Sequence, residues 1–220
     1  MGEEIYPWLI LVVTVNIVCV VGTSPIPQNT TTENICQRKL DVVFVVDMSS
    51  SIWIPDFYLQ LKFLHDLVGS FDINGENVRV GLLTFSSDAT MQFYLNTYSA
   101  RDEVRKAILA VKSEGGSTNT HLALQRAKDE MLTLKHGSRS DADHVIIVIT
   151  DGLSMNPKAT ATQAQKIHQA GVEVIAIGVG RANKEELAEM ASRPEFVFAV
   201  SNFNYLQEIR NSLAKTTCKC

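Results

Sequence analysis

Asp47, Ser49 and Ser51 occupy alternate positions in the stretch DVVFVVDMSSSI, directly after a run of β-branched and aromatic residues. One carboxylate and two hydroxyls this close together, at the end of a buried strand, suit a hard divalent cation. Two later segments supply the same kind of donor: Thr118 in GGSTNT and Asp151 in VIIVITDG. Oxygen-only sets of this kind favour Mg²⁺, with Mn²⁺ or Ca²⁺ as substitutes, over zinc and copper, which prefer nitrogen and sulfur. Mg²⁺ takes octahedral coordination at about 2.0–2.1 Å and keeps several of its waters. Three neutral hydroxyls with two carboxylates leave such an ion incompletely neutralised, especially if a carboxylate acts through water, so it would accept a further carboxylate from outside. That chemistry is recognition of an acidic group. Turnover has little support in the sequence, which contains no P-loop, no G-x-S-x-G and no evident general-base histidine, so no enzyme is expected.

The donors need strand ends to hold them, and the chain supplies a pattern that does so. Val42–Val46, Val145–Ile149 and Val172–Ile177 are short, continuous and β-branched, as strands buried on both faces should be. Val78–Phe85 and Phe196–Val200 read the same way, while Met91–Leu95 is more polar and reads as an edge strand. Between them, Phe57, Leu61, Leu64, Val68 and Phe71 step by three and four, and so do Val104, Ile108 and Val111. Leu124, Ala127, Met131 and Leu134 repeat the spacing, and Leu206, Ile209 and Leu213 predict a final helix. Pro55 stands where it can open the first helix. Strands alternating with helices predict one α/β domain over about residues 38–216, doubly wound, with a mostly parallel six-stranded sheet covered on both faces. In such sheets ligands bind beyond the carboxyl ends of the strands, where the strand order reverses. Asp47 and Asp151 each close a strand, and Thr118 follows a Gly115-Gly116 turn that opens a helix near Asn119. The three segments are therefore expected on one rim.

With D-x-S-x-S, G-G-x-T-x-T and T-D-G in that order on this α/β pattern, the chain resembles the von Willebrand factor type A family over about residues 38–216. That family includes integrin I domains, matrilins and the A domains of collagens. The resemblance implies a Rossmann-like sheet with one short antiparallel edge strand, which fits Met91–Leu95. It also implies a metal-ion-dependent adhesion site (MIDAS). There Ser49 and Ser51 bind the ion directly, and Thr118, Asp47 and Asp151 bind directly or through water. Met48 and Ser50 fill spacer positions where small residues or glycine are frequent, and His121 stands where a glycine often follows T-N-T; none of these removes a ligand. The implied partner is an extracellular matrix protein, collagen-like or other, presenting an Asp or Glu. A different class of function is a structural matrix component assembled through disulfides and surface contacts, with the metal incidental. For the Asp47 cluster itself, the plainer reading is two serines capping the next helix with Asp47 in a turn.

Residues 8–22 are almost wholly apolar, too short for a membrane span of about 20 residues and of the length of a signal-peptide core. The expected division is a signal peptide at 1–23, a polar leader at 24–37, the domain at 38–216 and a cysteine-containing tail at 217–220. The mature chain would be secreted to the extracellular matrix and hold no membrane span, although its amino-terminal region carries Glu3 and Glu4 and no basic residue. Losing those two acids and no base moves the formal charge from -4 to about -2, and no basic run suggests nucleic acid. Of four cysteines, Cys19 lies in the signal segment. In an oxidising compartment Cys36 bonded to Cys218 or Cys220 would staple the domain's ends, and the leftover thiol allows a disulfide-linked oligomer. Asn29 opens an N-x-[ST] sequon in the leader and is a candidate glycan site. Gly178-Val179-Gly180 reads as a structural turn, the five histidines show no metal-ligand spacing, and 135–143 reads as a solvated loop.

Overall fold

The computed structural model describes residues Arg38 to Lys219. The expected signal peptide and leader, with Cys19, Asn29 and Cys36, lie outside the described residues, as does Cys220. The strand β1 (Leu40–Asp47) is buried at all eight positions, because sheet neighbours lie on both sides and helices cover both faces. It pairs in parallel with β2 (Val78–Phe85) and with β4 (Asp143–Thr150), and β5 (Glu173–Val179) and β6 (Val197–Val200) continue in parallel beyond β4. At the other edge β3 (Ala89–Phe93) runs antiparallel to β2, giving the order β3-β2-β1-β4-β5-β6. This edge strand begins two residues earlier than its apolar pattern predicts. The reason is a tight turn at Ser86–Asp88: the Ser86 amide donates to the Asp88 carbonyl, and the Asp88 carboxylate caps the Ala89 amide. The strand order reverses between β1 and β4, and Val46 lies level with Ile149 there. Asp47 and Asp151 therefore emerge side by side at the switch point.

The helix α1 (Ile54–Val68) carries Pro55 in its first turn and buries Phe57, Leu61, Leu64 and Val68, as its spacing predicts. No side chain caps its amino end, so the preceding serines are not used as helix caps. The helices α2 (Arg101–Leu109) and α3 (Thr120–Arg126) follow, and α3 continues into a wider π turn at Ala127–Met131. Two helices lack a strong apolar signal in the sequence. The first, α4 (Pro157–Gln169), buries a stripe of small side chains, Thr160 and Ala164 with Ile167. The second, α5 (Lys184–Met190), has only seven residues and is capped by the Asn183 side chain. The last helix, α6 (Leu206–Thr217), packs on α1, and Gln207 donates to the Asp66 carboxylate at 2.9 Å. Its end is held too: Cys218 is disulfide-bonded, and Arg38 donates to the Cys218 carbonyl at 3.3 Å. Among the described residues no helix is long and apolar enough to cross a membrane.

The segment 135–143 differs from the solvated loop its composition predicts. Arg139 inserts at the amino ends of β1 and β2, where its guanidinium donates to Asp41 Oδ1 at 2.9 Å and to the carbonyls of Leu40 and Asn77. Its backbone amide donates to Asp41 Oδ2 at 2.7 Å, and His144 Nε2 lies 3.4 Å from the same oxygen. Asp41 is fully buried, and a buried carboxylate is tolerated only when it is paired and hydrogen-bonded. This clasp closes the pole opposite Asp47.

Candidate metal centre

Burial is graded across the candidate ligands: Asp47 and Ser49 are buried, Thr118 and Asp151 half-buried, and Ser51 exposed. The set is thus rooted in the sheet and open on one side. Asp47 is held on every polar atom. Its Oδ1 accepts the Ser49 amide at 2.8 Å and its Oδ2 the Thr150 hydroxyl at 2.7 Å, while its backbone carbonyl accepts Gln60 Nε2 at 3.2 Å. In front of it, Ser49 Oγ lies 3.0 Å from Ser51 Oγ, and Ser51 Oγ donates to Asp151 Oδ1 at 2.7 Å. Neighbouring ligands of an octahedral ion with bonds of about 2.1 Å stand about 3.0 Å apart. The Ser49–Ser51–Asp151 line therefore has the spacing of coordination edges, and the donor set fits a hard cation. Among the described residues no group of three or more His, Cys, Asp or Glu side chains could hold a metal. Any ion here is left to hydroxyls and two carboxylates.

Electrostatics point the same way. Burial pushes the Asp47 carboxyl up from 3.8 to about 6, against the opposing hydrogen bonds from Ser49 and Thr150. Burial likewise raises Asp151, with the Ser51 hydroxyl opposing and the nearby Asp56 charge adding to the rise. Two carboxyls held against their own ionisation form a site that gains from a cation.

Thr118 reaches the rim through its backbone. Its carbonyl accepts the Met155 amide at 2.9 Å, tying its loop to the one that follows Asp151. The Ser50 amide donates to the Gly116 carbonyl at 2.9 Å, and the Gly116 amide donates to Ser50 Oγ at 2.8 Å. Ser50 is thus the clamp between the first and second motifs, a role its spacer position does not suggest. Gly116 has φ +121°, and a Cβ there would fall 2.7 Å from Ser87 Oγ, so only glycine fits beside the β2–β3 turn. Asn119 closes the same contact by donating to the Ser87 carbonyl at 2.8 Å.

The structure joins Asp47, Ser49, Ser51 and Asp151 in one hydrogen-bonded line and brings the backbone of Thr118 against the Asp151 loop. Three supporting residues stand out beside the candidate ligands: Thr150, the threonine of T-D-G, and two residues outside the motifs, Gln60 and Glu186. Thr150 holds Asp47 from the next strand. Gln60 is fully buried on α1, and a polar residue inside the Phe57–Leu64 apolar stripe was its one sequence signal. Glu186 on α5 is 5% exposed, and its Oε2 accepts the Ser154 amide at 3.0 Å. Through that bond it holds the loop that follows Asp151, and nothing in its local sequence marks it. His121 Nδ1 is buried with no hydrogen-bond partner.

A parallel sheet with one antiparallel edge, bearing a serine–aspartate oxygen cluster at its switch point, defines the class. The model of the von Willebrand factor type A domain matches residues 41–212, and the chain belongs to that family. Over 187 residues it is 35% identical to the mouse (Mus musculus) collagen alpha-5(VI) chain, covering 83% of this chain and 7% of that one. Over 186 residues it is 31% identical to chicken (Gallus gallus) matrilin-3, covering 82% of this chain and 41% of that one. Among solved structures it resembles proximal thread matrix protein 1 from the mussel byssus, with TM-score 0.80 and 26% identity over 84% of this chain and 49% of that one. A second structure of that mussel protein, with TM-score 0.77 and 32% identity, covers 84% of this chain and 47% of its own and is described with a zinc-occupied MIDAS motif. The chain spans less than half the length of these relatives. They are structural proteins of the extracellular matrix rather than enzymes, and they place this chain in that setting.

Proposed function

We propose that the domain is an adhesion module, secreted into the matrix, that binds an acidic side chain of a matrix protein through a divalent cation. The observation that carries this reading is the Ser49–Ser51–Asp151 oxygen line, spaced at 3.0 and 2.7 Å, with buried Asp47 behind it and solvent in front. Ser49, Ser51 and Thr118 would hold the ion with Asp47 and Asp151, directly or through water. When bound, the cation supplies an incompletely neutralised charge that a partner's carboxylate completes. The protein's own contribution is to hold the oxygens in place: Thr150 and Gln60 orient Asp47, Ser50 docks the Thr118 loop, and Glu186 holds the Asp151 loop. The donor set favours Mg²⁺, with Mn²⁺ or Ca²⁺ as substitutes. Zinc in the MIDAS motif of the mussel relative supports a divalent ion at the corresponding place. Binding to immobilised collagens and other matrix proteins should occur in Mg²⁺ and be lost both in EDTA and in Asp47→Ala. Binding that survives both, or disulfide-linked assembly that needs no metal, would favour a purely structural role.

The same reading extends to the termini. Cys36 is the proposed partner of Cys218. In support, Arg38, two residues after Cys36, donates to the Cys218 carbonyl. Closing so long a loop stabilises by roughly 5 kcal/mol in the chain-entropy model, less where the denatured chain keeps structure. Cys220 is then left to pair with another chain, and Asn29 is the proposed glycan site. Peptide mapping without reduction, with and without deglycosylation, tests all three assignments.

A further inference from the structure

Among the described residues, half of the large apolar side chains left in solvent lie within four residues of Ser51 or Asp151 along the chain. Trp53, two residues after Ser51, is 70% exposed, and Ile54 beside it is 60% exposed. Leu153 and Met155, two and four residues after Asp151, are 53% and 68% exposed. Two residues of chain span at most about 7 Å, so Trp53 and Leu153 cannot lie far from Ser51 and Asp151, which are themselves bonded at 2.7 Å. Scattered apolar residues are ordinary on a protein surface; a cluster beside a polar site marks an interaction surface. The exposure is also enforced. Ser154, between Leu153 and Met155, is 4% exposed and is held inward twice: its amide donates to Glu186 Oε2, and its hydroxyl accepts from Thr160 at 3.0 Å. With Ser154 turned in and Met155 tied to Thr118, both apolar neighbours are left in solvent.

The rim runs on into α4. A shallow depression of about 330 Å³, lined by Asn156, Lys158, Ala159, Thr162 and Gln163, begins one residue after Met155. The first turn of α4 holds no acidic residue and its amino end is capped by the neutral Asn156 side chain, which accepts the Ala159 amide at 3.0 Å, so Lys158 is the one charged residue lining this depression.

We propose that this surface receives an extended polypeptide segment in which one acidic side chain is flanked by large apolar ones and followed by a second acid. The first acid lies at the metal, the apolar side chains lie against Trp53, Leu153 and Met155, and the trailing acid lies over α4 at Lys158. This rests on the metal-dependent reading above and adds what the partner must carry beside its carboxylate.

The test uses two synthetic peptides, both with a trailing glutamate, one with leucine and the other with glycine on either side of the first glutamate. Fluorescence anisotropy in Mg²⁺ is expected to show the leucine peptide binding at least about tenfold more tightly, the equivalent of about 1.4 kcal/mol. The double variant Leu153→Ser, Met155→Ser should bring the leucine peptide down to the glycine peptide. Its Mg²⁺-dependent rise in Tm should persist, since the changes are on exposed side chains. Lys158→Glu should weaken both peptides severalfold. Equal affinity for the two peptides, with binding still abolished by EDTA, would overturn the apolar rim and leave the metal reading intact. Unchanged affinity in Lys158→Glu would overturn the α4 extension. Binding of neither peptide, or binding insensitive to EDTA, would overturn the inference together with the reading beneath it.

Discussion

Replacing Asp47 by asparagine should stabilise the metal-free domain while abolishing its response to Mg²⁺. Asp47 is fully buried, and burial raises its carboxyl from 3.8 to about 6. Because the folded value lies above the unfolded one, the contribution of this group to stability is fully present below pH 3.8 and is lost as pH rises through about 6. Each tenfold change in ionisation constant corresponds to about 1.4 kcal/mol. At pH 7.5 without metal, holding the carboxylate charged therefore costs about 3 kcal/mol. Asparagine removes that charge and keeps an oxygen for the Ser49 amide. The Thr150 hydroxyl, which now donates at 2.7 Å, can rotate to accept from the new amide nitrogen. For a domain of this size 1 kcal/mol moves Tm by about 2–4 °C, so a rise of up to about 6–12 °C is expected in EDTA at pH 7.5, shrinking toward zero near pH 4. In the unsubstituted protein, Mg²⁺ at about 100 times its Kd should add about 2.7 kcal/mol of stability, and in Asp47→Asn it should add nothing. Differential scanning fluorimetry across pH, with EDTA or MgCl₂, reads both effects. A variant less stable than the parent in EDTA at pH 7.5, or one that keeps its Mg²⁺ shift, would refute the reasoning.

Three further outcomes are expected. His144 is raised above its ordinary value chiefly by its hydrogen bond to buried Asp41, with the Arg139 carbonyl and the Asp143 charge adding to the rise. Its stabilising contribution is thus full below about pH 6.5 and fades as pH rises through the higher folded value. The Tm gap between the parent and His144→Gln should be wider at pH 5.5 than at pH 8.5, and a gap independent of pH would contradict this. Glu186→Ala strips the Ser154 amide of its partner and should lose about 1–3 kcal/mol in EDTA and also weaken Mg²⁺ binding by calorimetry. Glu186→Gln should restore most of the affinity, and an Mg²⁺ affinity unchanged in the alanine variant would show that Glu186 does not position the site. In Gly178→Ala the new Cβ falls 2.3 Å from Leu187 Cδ1 and 2.9 Å from Ala182 Cβ, so the buried Leu187 side chain must repack and the turn at Ala182 that leads into α5 must give way. A loss of about 1–3 kcal/mol in denaturant unfolding is expected, and an unchanged midpoint would mean that α5 packs more loosely than described.

The amino-acid sequence by itself determined the architecture and the candidate ligands. Strands buried on both faces need continuous β-branched runs, and Val42–Val46, Val145–Ile149 and Val172–Ile177 are such runs. The large-residue helices α1, α2 and α6 show the three-and-four spacing, because one face must meet the sheet. The oxygen cluster was legible because its donors are crowded along the chain at strand ends. The rest depends on contacts between distant segments, which no local pattern records. A stripe of alanine and threonine conceals α4, since close packing there needs small residues rather than apolar bulk. Arg139 reads as part of a polar loop until β1 and β2 supply the carboxylate and carbonyls that surround it. Likewise, Ser50 becomes the clamp on Gly116, Glu186 the support beneath Ser154, and Leu153 with Met155 an exposed rim only when the chain is folded. The candidate ligands belong to the sequence; the 3.0 and 2.7 Å spacing of Ser49, Ser51 and Asp151, and the open side they share, belong to the tertiary structure.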